Sequence, residues 1–115
     1  MKKIILSMGI SLFVLATVAS ARGAHDDRSN EGKRLYEQKC QLCHGVNGNG
    51  DGPAAAAFSP PPADFATSSF WKDYDQKSIA EIIQEGRGRM PAFHLTSDEV
   101  QAIIDYMSQT FKPGQ

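Results

Sequence analysis

Two cysteines and a histidine lie within the stretch Cys40-Gln41-Leu42-Cys43-His44, and these residue types can do chemistry together. Two thiols separated by two residues can add to the two vinyl groups of one haem and form thioethers. The adjacent histidine then faces the iron from one side. The stretch therefore predicts one covalently bound haem with His44 as an iron ligand.

Three other kinds of site could use the same residues. A redox-active dithiol has the same cysteine spacing, but it needs a strand–helix–strand setting and no histidine. A structural zinc site needs four ligands, and only His25 or His94 remains as the fourth. A plain disulfide is the simplest alternative in an exported protein, although a bridge across two residues closes too short a loop to stabilise much. An export signal, a Gly/Pro-rich loop and the lack of a strand pattern favour haem over all three.

Met90 is the residue expected to supply the second iron ligand. It lies in GRGRMPAF, a loop between two predicted helices, and Pro91 stiffens the chain beside it. A thioether in such a loop can approach the iron from the side opposite His44. Packing within the loop is the alternative role for Met90.

The other methionines and histidines fit a ligand role less well. Met107 falls on the apolar stripe of the last predicted helix, where packing is the simpler role. His94 and His25 leave open an iron held by two histidines, although both are expected in solvated segments. The two remaining methionines, Met1 and Met8, belong to the N-terminal signal.

Residues 1–21 have the parts of an export signal. Two lysines precede an apolar run of 15 residues over 4–18, and small residues over 19–21 form a cleavage pattern. The run is shorter than the roughly 20 apolar residues that span a membrane, so no permanent membrane insertion is expected. Cleavage leaves residues 22–29 as a flexible leader and residues 30–115 as one small domain in the periplasm.

Charge and loop motifs exclude other function classes. Removing the two signal lysines leaves ten basic residues against 13 acidic ones, a net formal charge of −3, and no basic run for binding nucleic acid. The pattern Asn47-x-Asn49-x-Asp51 resembles the start of a calcium loop, but Phe58 stands where a bidentate Glu is required. No glycine-rich phosphate-binding motif is present.

Apolar periodicity predicts an all-α domain. Helices are expected over about 30–39, near 66–72, over about 76–85 and from Thr96 to Phe111. Thr96 and Glu99 match a capping box, and Leu95 and Val100 match a hydrophobic staple. The loop over 45–64 has so little apolar volume that it must wrap a large cofactor.

These motifs together resemble a class I cytochrome c of the small, single-haem bacterial periplasmic type. The resemblance covers nearly all of residues 30–112, and CxxCH followed at this distance by MPAF and a capped helix is its specific part. It implies three to five helices around one haem c. It also implies that Cys40 and Cys43 form the thioethers, His44 is the proximal ligand and Met90 the distal ligand.

The resemblance also assigns supporting roles. Gly32 would admit Tyr106 or Ile103 where the first and last helices cross, and a carbonyl of the run 60–62 would accept the ring N–H of His44. Trp71 could donate a hydrogen bond to a haem propionate or simply pack in the core. Arg87 and Arg89 could pair with propionates, mark a docking rim, or be solvated charges.

An iron held on both axial sides leaves no position for a substrate, which predicts an electron carrier and not an enzyme. The expected function is to shuttle single electrons between redox proteins, such as a donor enzyme or cytochrome complex and a terminal reductase or oxidase. A monomer is expected. The alternatives are a fixed cytochrome c subunit of a larger respiratory or dehydrogenase complex, and a haem enzyme or gas sensor with five-coordinate iron.

Overall fold

The computed structural model of the protein describes residues 19–115, which form five α-helices and one short 3₁₀ turn. The helices are α1 (Ala19–Lys39), α2 (Gln41–His44), α3 (Ser68–Asp73), α4 (Gln76–Glu85) and α5 (Ser97–Phe111), and the 3₁₀ turn spans Ala55–Ala57. This part of the chain contains no strand, and one isolated bridge joins Arg87 to Met90. The all-α prediction, with three to five helices, is confirmed.

The crossing of α1 and α5 is the main helix–helix contact of the fold. Gly32 lies at this crossing, and a Cβ atom there would overlap the carbonyl oxygen of Ala102 and lie 2.9 Å from the Cβ atom of Tyr106. The missing side chain therefore lets the two helix backbones touch. The predicted neighbour Tyr106 is confirmed. The nearest atom, however, is the Ala102 carbonyl and not a side chain of Ile103.

The N-terminal end of α1 differs from the prediction. The helix does not start near Asn30 but already includes Ala19, the first described residue, so residues 22–29, which were expected to be a flexible leader, are helical. This stretch contains no proline to stop a helix, and Arg28 lies 3.9 Å from Asp105 of α5, which gives the added turns a contact. Residues 1–18 lie outside the described residues, so the export signal stays a prediction.

The helix α5 begins and packs as the sequence predicts. The Thr96 hydroxyl accepts a hydrogen bond of 3.3 Å from the backbone N–H of Glu99, and the Glu99 carboxylate accepts one of 2.8 Å from the backbone N–H of Thr96. The predicted apolar stripe is buried and consists of Val100, Ile103, Ile104, Met107 and Phe111. Met107 is therefore a core residue.

The helix α4 packs against α5 and also has the predicted bounds. The Asp75 carboxylate accepts a hydrogen bond of 2.8 Å from a backbone N–H of the first turn, and Gly86 ends the helix with φ of +76°. Ile79 and Ile83 are buried. Ile82, which was expected on the same face, is only partly buried.

The short helix α3 spans Ser68–Asp73, close to the turn expected near 66–72. Its aromatic residues Phe70 and Trp71 pack against the buried core. Within residues 19–115, no helix is both long enough and apolar enough to cross a membrane.

Candidate functional site

The short helix α2 brings the two cysteines and His44 into one turn. The backbone N–H groups of Cys43 and His44 both donate to the carbonyl oxygen of Cys40, at 3.2 and 2.9 Å. The two cysteines are not joined by a disulfide; Cys40 is buried and Cys43 is partly buried. Because two sulfur atoms and an imidazole lie along one turn, a single planar group could bind all three.

Burial keeps the Cys40 sulfur in its thiol form. Removal from water, the largest of the effects on this thiol, raises the pKa of Cys40 to about 12. A redox-active dithiol needs a thiolate near neutral pH. The environment of Cys40 therefore disfavours the dithiol alternative.

The ring of His44 is held in one tautomer. Its Nδ1 atom lies 3.1 Å from the carbonyl oxygen of Ala63. A carbonyl can only accept, so Nδ1 carries the proton and Nε2 keeps a free lone pair. Burial lowers the pKa of His44, while the bond to Ala63 acts in the opposite direction, and the net result favours the neutral ring that a metal requires.

The acceptor for His44 corrects a prediction. The carbonyl belongs to Ala63 and not to a residue of the proline run 60–62. The extended backbone that prolines impose fixes the general course of the chain, but which carbonyl faces the ring depends on how the loop packs. Phe65 packs on the same imidazole, with ring centroids 4.5 Å apart and an angle of 20° between the planes. No sequence pattern indicated this stacking.

The glycine-rich loop that follows α2 satisfies its C-terminal carbonyls. Gly52 donates a hydrogen bond of 3.1 Å to Cys43, and Gly50 donates one of 2.8 Å to His44. Ala54 donates a third, of 2.9 Å, to Leu42. A Cβ atom at Gly52 would overlap the backbone of α2, so only glycine lets the loop approach this closely. The loop therefore braces the turn that carries the cysteines.

Met90 lies in a tight turn between α4 and α5. Two backbone hydrogen bonds of 3.0 and 2.9 Å link Arg87 and Met90 in both directions. Farther along, the N–H of Phe93 donates to the carbonyl of Ile83 at 2.9 Å and attaches the loop to α4. The Met90 side chain is partly buried and packs against the core cluster that also contains Cys40. Its loop is thus fixed at both ends.

The two other candidate histidines lie in exposed positions, as expected. His94 is exposed just before α5. His25 is exposed on α1, beside an open cavity of about 220 Å³ that Arg28 and Asp105 also line. Among residues 19–115 no three His, Cys, Asp or Glu side chains come together in a way that could hold a metal ion. This arrangement gives the zinc alternative no support.

Trp71 and the two loop arginines all bond to the protein itself. The Trp71 indole N–H donates to the carbonyl of Phe65 at 2.7 Å. Arg87 donates to the hydroxyl of Tyr74 at 3.0 Å, and Arg89 donates to the carbonyl of Ala57 at 2.9 Å. Trp71 is partly buried and packs against the core cluster, which fits the packing role that the sequence allowed. The arginine contacts were not foreseen, because they join segments far apart in the sequence.

Comparison with known proteins identifies the family. The family profile described as "Cytochrome C oxidase, cbb3-type, subunit III" matches residues 27–107. Cytochrome c-551 of Bacillus subtilis (strain 168) is 28% identical over 116 residues, which cover 91% of this chain and 93% of that protein. The solved structure of the KustC0563 c-type cytochrome is similar with a TM-score of 0.58 and 31% identity, over 70% of this chain and 96% of that one.

Helical architecture, a cysteine pair beside a histidine and these matches together define a class I-like c-type cytochrome. The chain belongs to the cytochrome c family that the matching profile describes. It is an electron-transfer haem protein with one covalently bound haem c, as the family resemblance implied.

Proposed function

We propose that the protein is a periplasmic carrier of single electrons whose haem iron is held by His44 and Met90. The observation that carries the proposal is the hydrogen bond between His44 Nδ1 and the Ala63 carbonyl oxygen, at 3.1 Å. It leaves Nε2 as the free donor atom, and it strengthens that donor by partly drawing off the Nδ1 proton. A ring locked in this way suits a permanent axial ligand.

The thiols of Cys40 and Cys43 are the proposed attachment points. Cys40 directly precedes α2 and Cys43 lies within it, and this turn contacts α1 and is hydrogen-bonded to the glycine-rich loop. The haem supplies the one-electron chemistry. The role of the chain is to hold the haem by two covalent bonds, so that the haem stays attached in both the ferric and the ferrous state.

Met90 completes the proposed coordination from a loop that is attached to α4 and closed by its own turn. A thioether is a soft ligand that favours ferrous iron, and burial disfavours the extra charge of ferric iron, so both effects raise the reduction potential. With His44 and Met90 both bound, no coordination position remains for oxygen or a substrate. This argues for an electron carrier over a haem enzyme or gas sensor.

Two exposed apolar side chains support brief encounters with redox partners. Leu42 is 61% exposed and Val46 is 69% exposed, and both lie within a few residues of the attachment cysteines. A small apolar surface near the attachment cysteines would suit contacts of low area, through which electrons could pass before the partners separate. The predicted export signal and the net charge of −3 after its removal complete the proposal of a periplasmic carrier.

Replacing Met90 with leucine tests the ligation. The oxidised wild-type protein should show the weak near-infrared sulfur-to-iron band, and Met90→Leu should lose it, lower the reduction potential and let carbon monoxide bind the ferrous iron. Met107→Leu is the matched control, because Met107 is a buried core residue, only 3% exposed, and leucine nearly conserves its volume. It should keep the band. A Met90→Leu protein with an unchanged potential and no carbon monoxide binding would contradict the proposal.

Purification from the native periplasm tests the carrier role. A free carrier should elute as a soluble, haem-containing monomer without a fixed companion. Constant co-purification with one enzyme would identify a subunit of a larger complex instead. High-spin spectra of the isolated protein would identify five-coordinate iron and a haem enzyme or sensor.

A further inference from the structure

The motif GRGRM, residues 86–90, contains an arginine whose contacts reach across the molecule. Arg89 Nη1 donates a hydrogen bond of 2.9 Å to the carbonyl oxygen of Ala57. The guanidinium carbon of Arg89 also lies 5.1 Å from the centroid of the Phe58 ring. One planar cation therefore contacts a carbonyl and an aromatic face in a segment that lies 32 residues earlier in the chain.

The other arginine of the motif contacts a different element. Arg87 Nη1 donates to the Tyr74 hydroxyl at 3.0 Å, and its guanidinium carbon lies 5.5 Å from the Tyr74 ring centroid. Between the two arginines, Gly88 has φ of +58°, a conformation that other residues rarely adopt. This turn lets the arginines reach separate partners on either side of Gly88.

The segment that Arg89 contacts is itself tied to α2. Gly52 donates to the carbonyl of Cys43. Ala54, which lies three residues before Ala57, donates to the carbonyl of Leu42. These hydrogen bonds hold the segment that leads to Phe58 against the turn that carries the attachment cysteines. Arg89 connects this segment to the loop that carries Met90.

We propose that Arg89 is a positioning residue that holds the Met90 loop against Ala57 and Phe58 and so limits how often Met90 leaves the iron. This inference rests on the proposed function, because it requires Met90 to be the distal ligand. When the contact opens, the loop keeps its own turn but loses its attachment to the α2 side. Met90 can then move away from the iron together with the loop.

The geometry requires arginine and not merely a positive charge. A planar guanidinium can donate in its plane to the Ala57 carbonyl while its face covers the Phe58 ring. A lysine ammonium is a point charge that cannot make both contacts in the same way. Arg89→Lys should therefore weaken the attachment of the loop while leaving the charge in place.

The rate of cyanide binding to the oxidised, haem-loaded protein tests this role, because cyanide can bind only after Met90 has left the iron. Loss of one exposed cation–π contact and one charged hydrogen bond should make binding about 5- to 30-fold faster in Arg89→Ala. Arg89→Lys should be intermediate and at least about threefold faster than wild type. The near-infrared band should persist in both variants, since Met90 still binds most of the time.

Arg34→Ala is the matched control. Arg34 is also an exposed arginine with hydrogen bonds, but its partners Glu31 and Gln38 lie on the same helix, α1. Its replacement should leave the cyanide rate within about twofold of wild type. The melting temperatures of all variants are compared as well. Faster cyanide binding at an unchanged melting temperature indicates release of the loop, whereas a lowered melting temperature indicates a loss of overall stability.

Three results would overturn the inference. The role of Arg89 would be refuted by a wild-type cyanide rate in Arg89→Ala together with loss of the near-infrared band in Met90→Leu. The proposed ligation would then remain intact. Arg89→Lys at the wild-type rate would refute the two guanidinium contacts as the cause of the attachment, on which the inference rests. A wild-type protein without the band, with cyanide binding unchanged in Met90→Leu, would refute the ligation and the inference together.

Discussion

Tyr36 shows how one side chain can hold the proposed site from outside it. The residue is fully buried, and its hydroxyl donates a hydrogen bond of 2.8 Å to the carbonyl oxygen of Gly45, the residue after His44. Burial raises the pKa of Tyr36, so the hydroxyl keeps its proton and remains a donor over the whole physiological range. This bond ties α1 to the end of α2.

We expect Tyr36→Phe to destabilise the haem-loaded protein by about 0.5 to 1.5 kcal/mol, because the Gly45 carbonyl loses the shorter of its two hydrogen bonds and keeps only the one from the Gly48 N–H, at 3.3 Å. Urea unfolding followed by far-ultraviolet circular dichroism measures the change. Tyr106→Phe is the control: its ring lies 5.5 Å from that of Tyr36, and no bond of its hydroxyl is found in the described part of the chain. It should cost less than about 0.5 kcal/mol. Equal losses in the two variants would remove the special role of the Tyr36 hydroxyl.

At the scale of elements, the contact between α1 and α5 organises the fold. The helices meet where Gly32 faces the backbone of Ala102, and the rings of Tyr36 and Tyr106 pack beside the crossing with centroids 5.5 Å apart and planes tilted by 51°. Phe111 at the end of α5 joins this aromatic group, 5.1 Å from the Tyr36 ring. The crossing thus sets the position of α1, and with it the start of α2.

Gly32→Ala should push the two helices apart, because the new Cβ atom would overlap the Ala102 carbonyl oxygen. Overpacking of this kind typically costs about 1 to 3 kcal/mol. Gly23→Ala makes the same change in the same helix, where no atom lies within 4 Å, and it should be neutral or slightly stabilising. Thermal unfolding of both proteins gives the comparison. A Gly32→Ala protein as stable as Gly23→Ala would contradict the described crossing.

At the scale of the whole molecule, the protein domain is short of apolar material. The stretch 45–64 contains only two large apolar side chains, and of these Val46 is 69% exposed and Phe58 is only partly buried. The buried cluster therefore comes from α1, α4 and α5, together with Cys40 and Phe65. A small domain with such a loop depends on its haem to complete the interior.

The double variant Cys40→Ser, Cys43→Ser tests this dependence by preventing haem attachment. We expect the haem-free chain to lose most of its helical circular dichroism and its cooperative thermal transition, because the remaining core is too small to offset chain entropy. Cys43→Ser alone, which keeps one attachment sulfur, is the control and should retain a folded fraction. A haem-free double variant that melts cooperatively with wild-type helical content would show that the protein core suffices.

Local signals explain why parts of the fold could be predicted. The capping box at Thr96 and Glu99 and the stripe behind it involve residues three or four positions apart, so the bounds of α5 follow from sequence spacing. The cap at Asp75 and the stop at Gly86 define α4 for the same reason. The predicted start of α1 at Asn30 was wrong, because Asn30 can cap a helix but does not prevent a helix from continuing through it.

By itself, the sequence determined which chemistry the protein carries, because two thiols and an imidazole within five residues need only one turn of helix to act together. Tertiary structure decided what holds those groups: the Ala63 carbonyl on His44, the Tyr36 hydroxyl on Gly45 and the Arg89 contact with Ala57. Each of these joins residues 9 to 32 positions apart, and such contacts depend on how loops and helices pack, which short-range patterns do not encode.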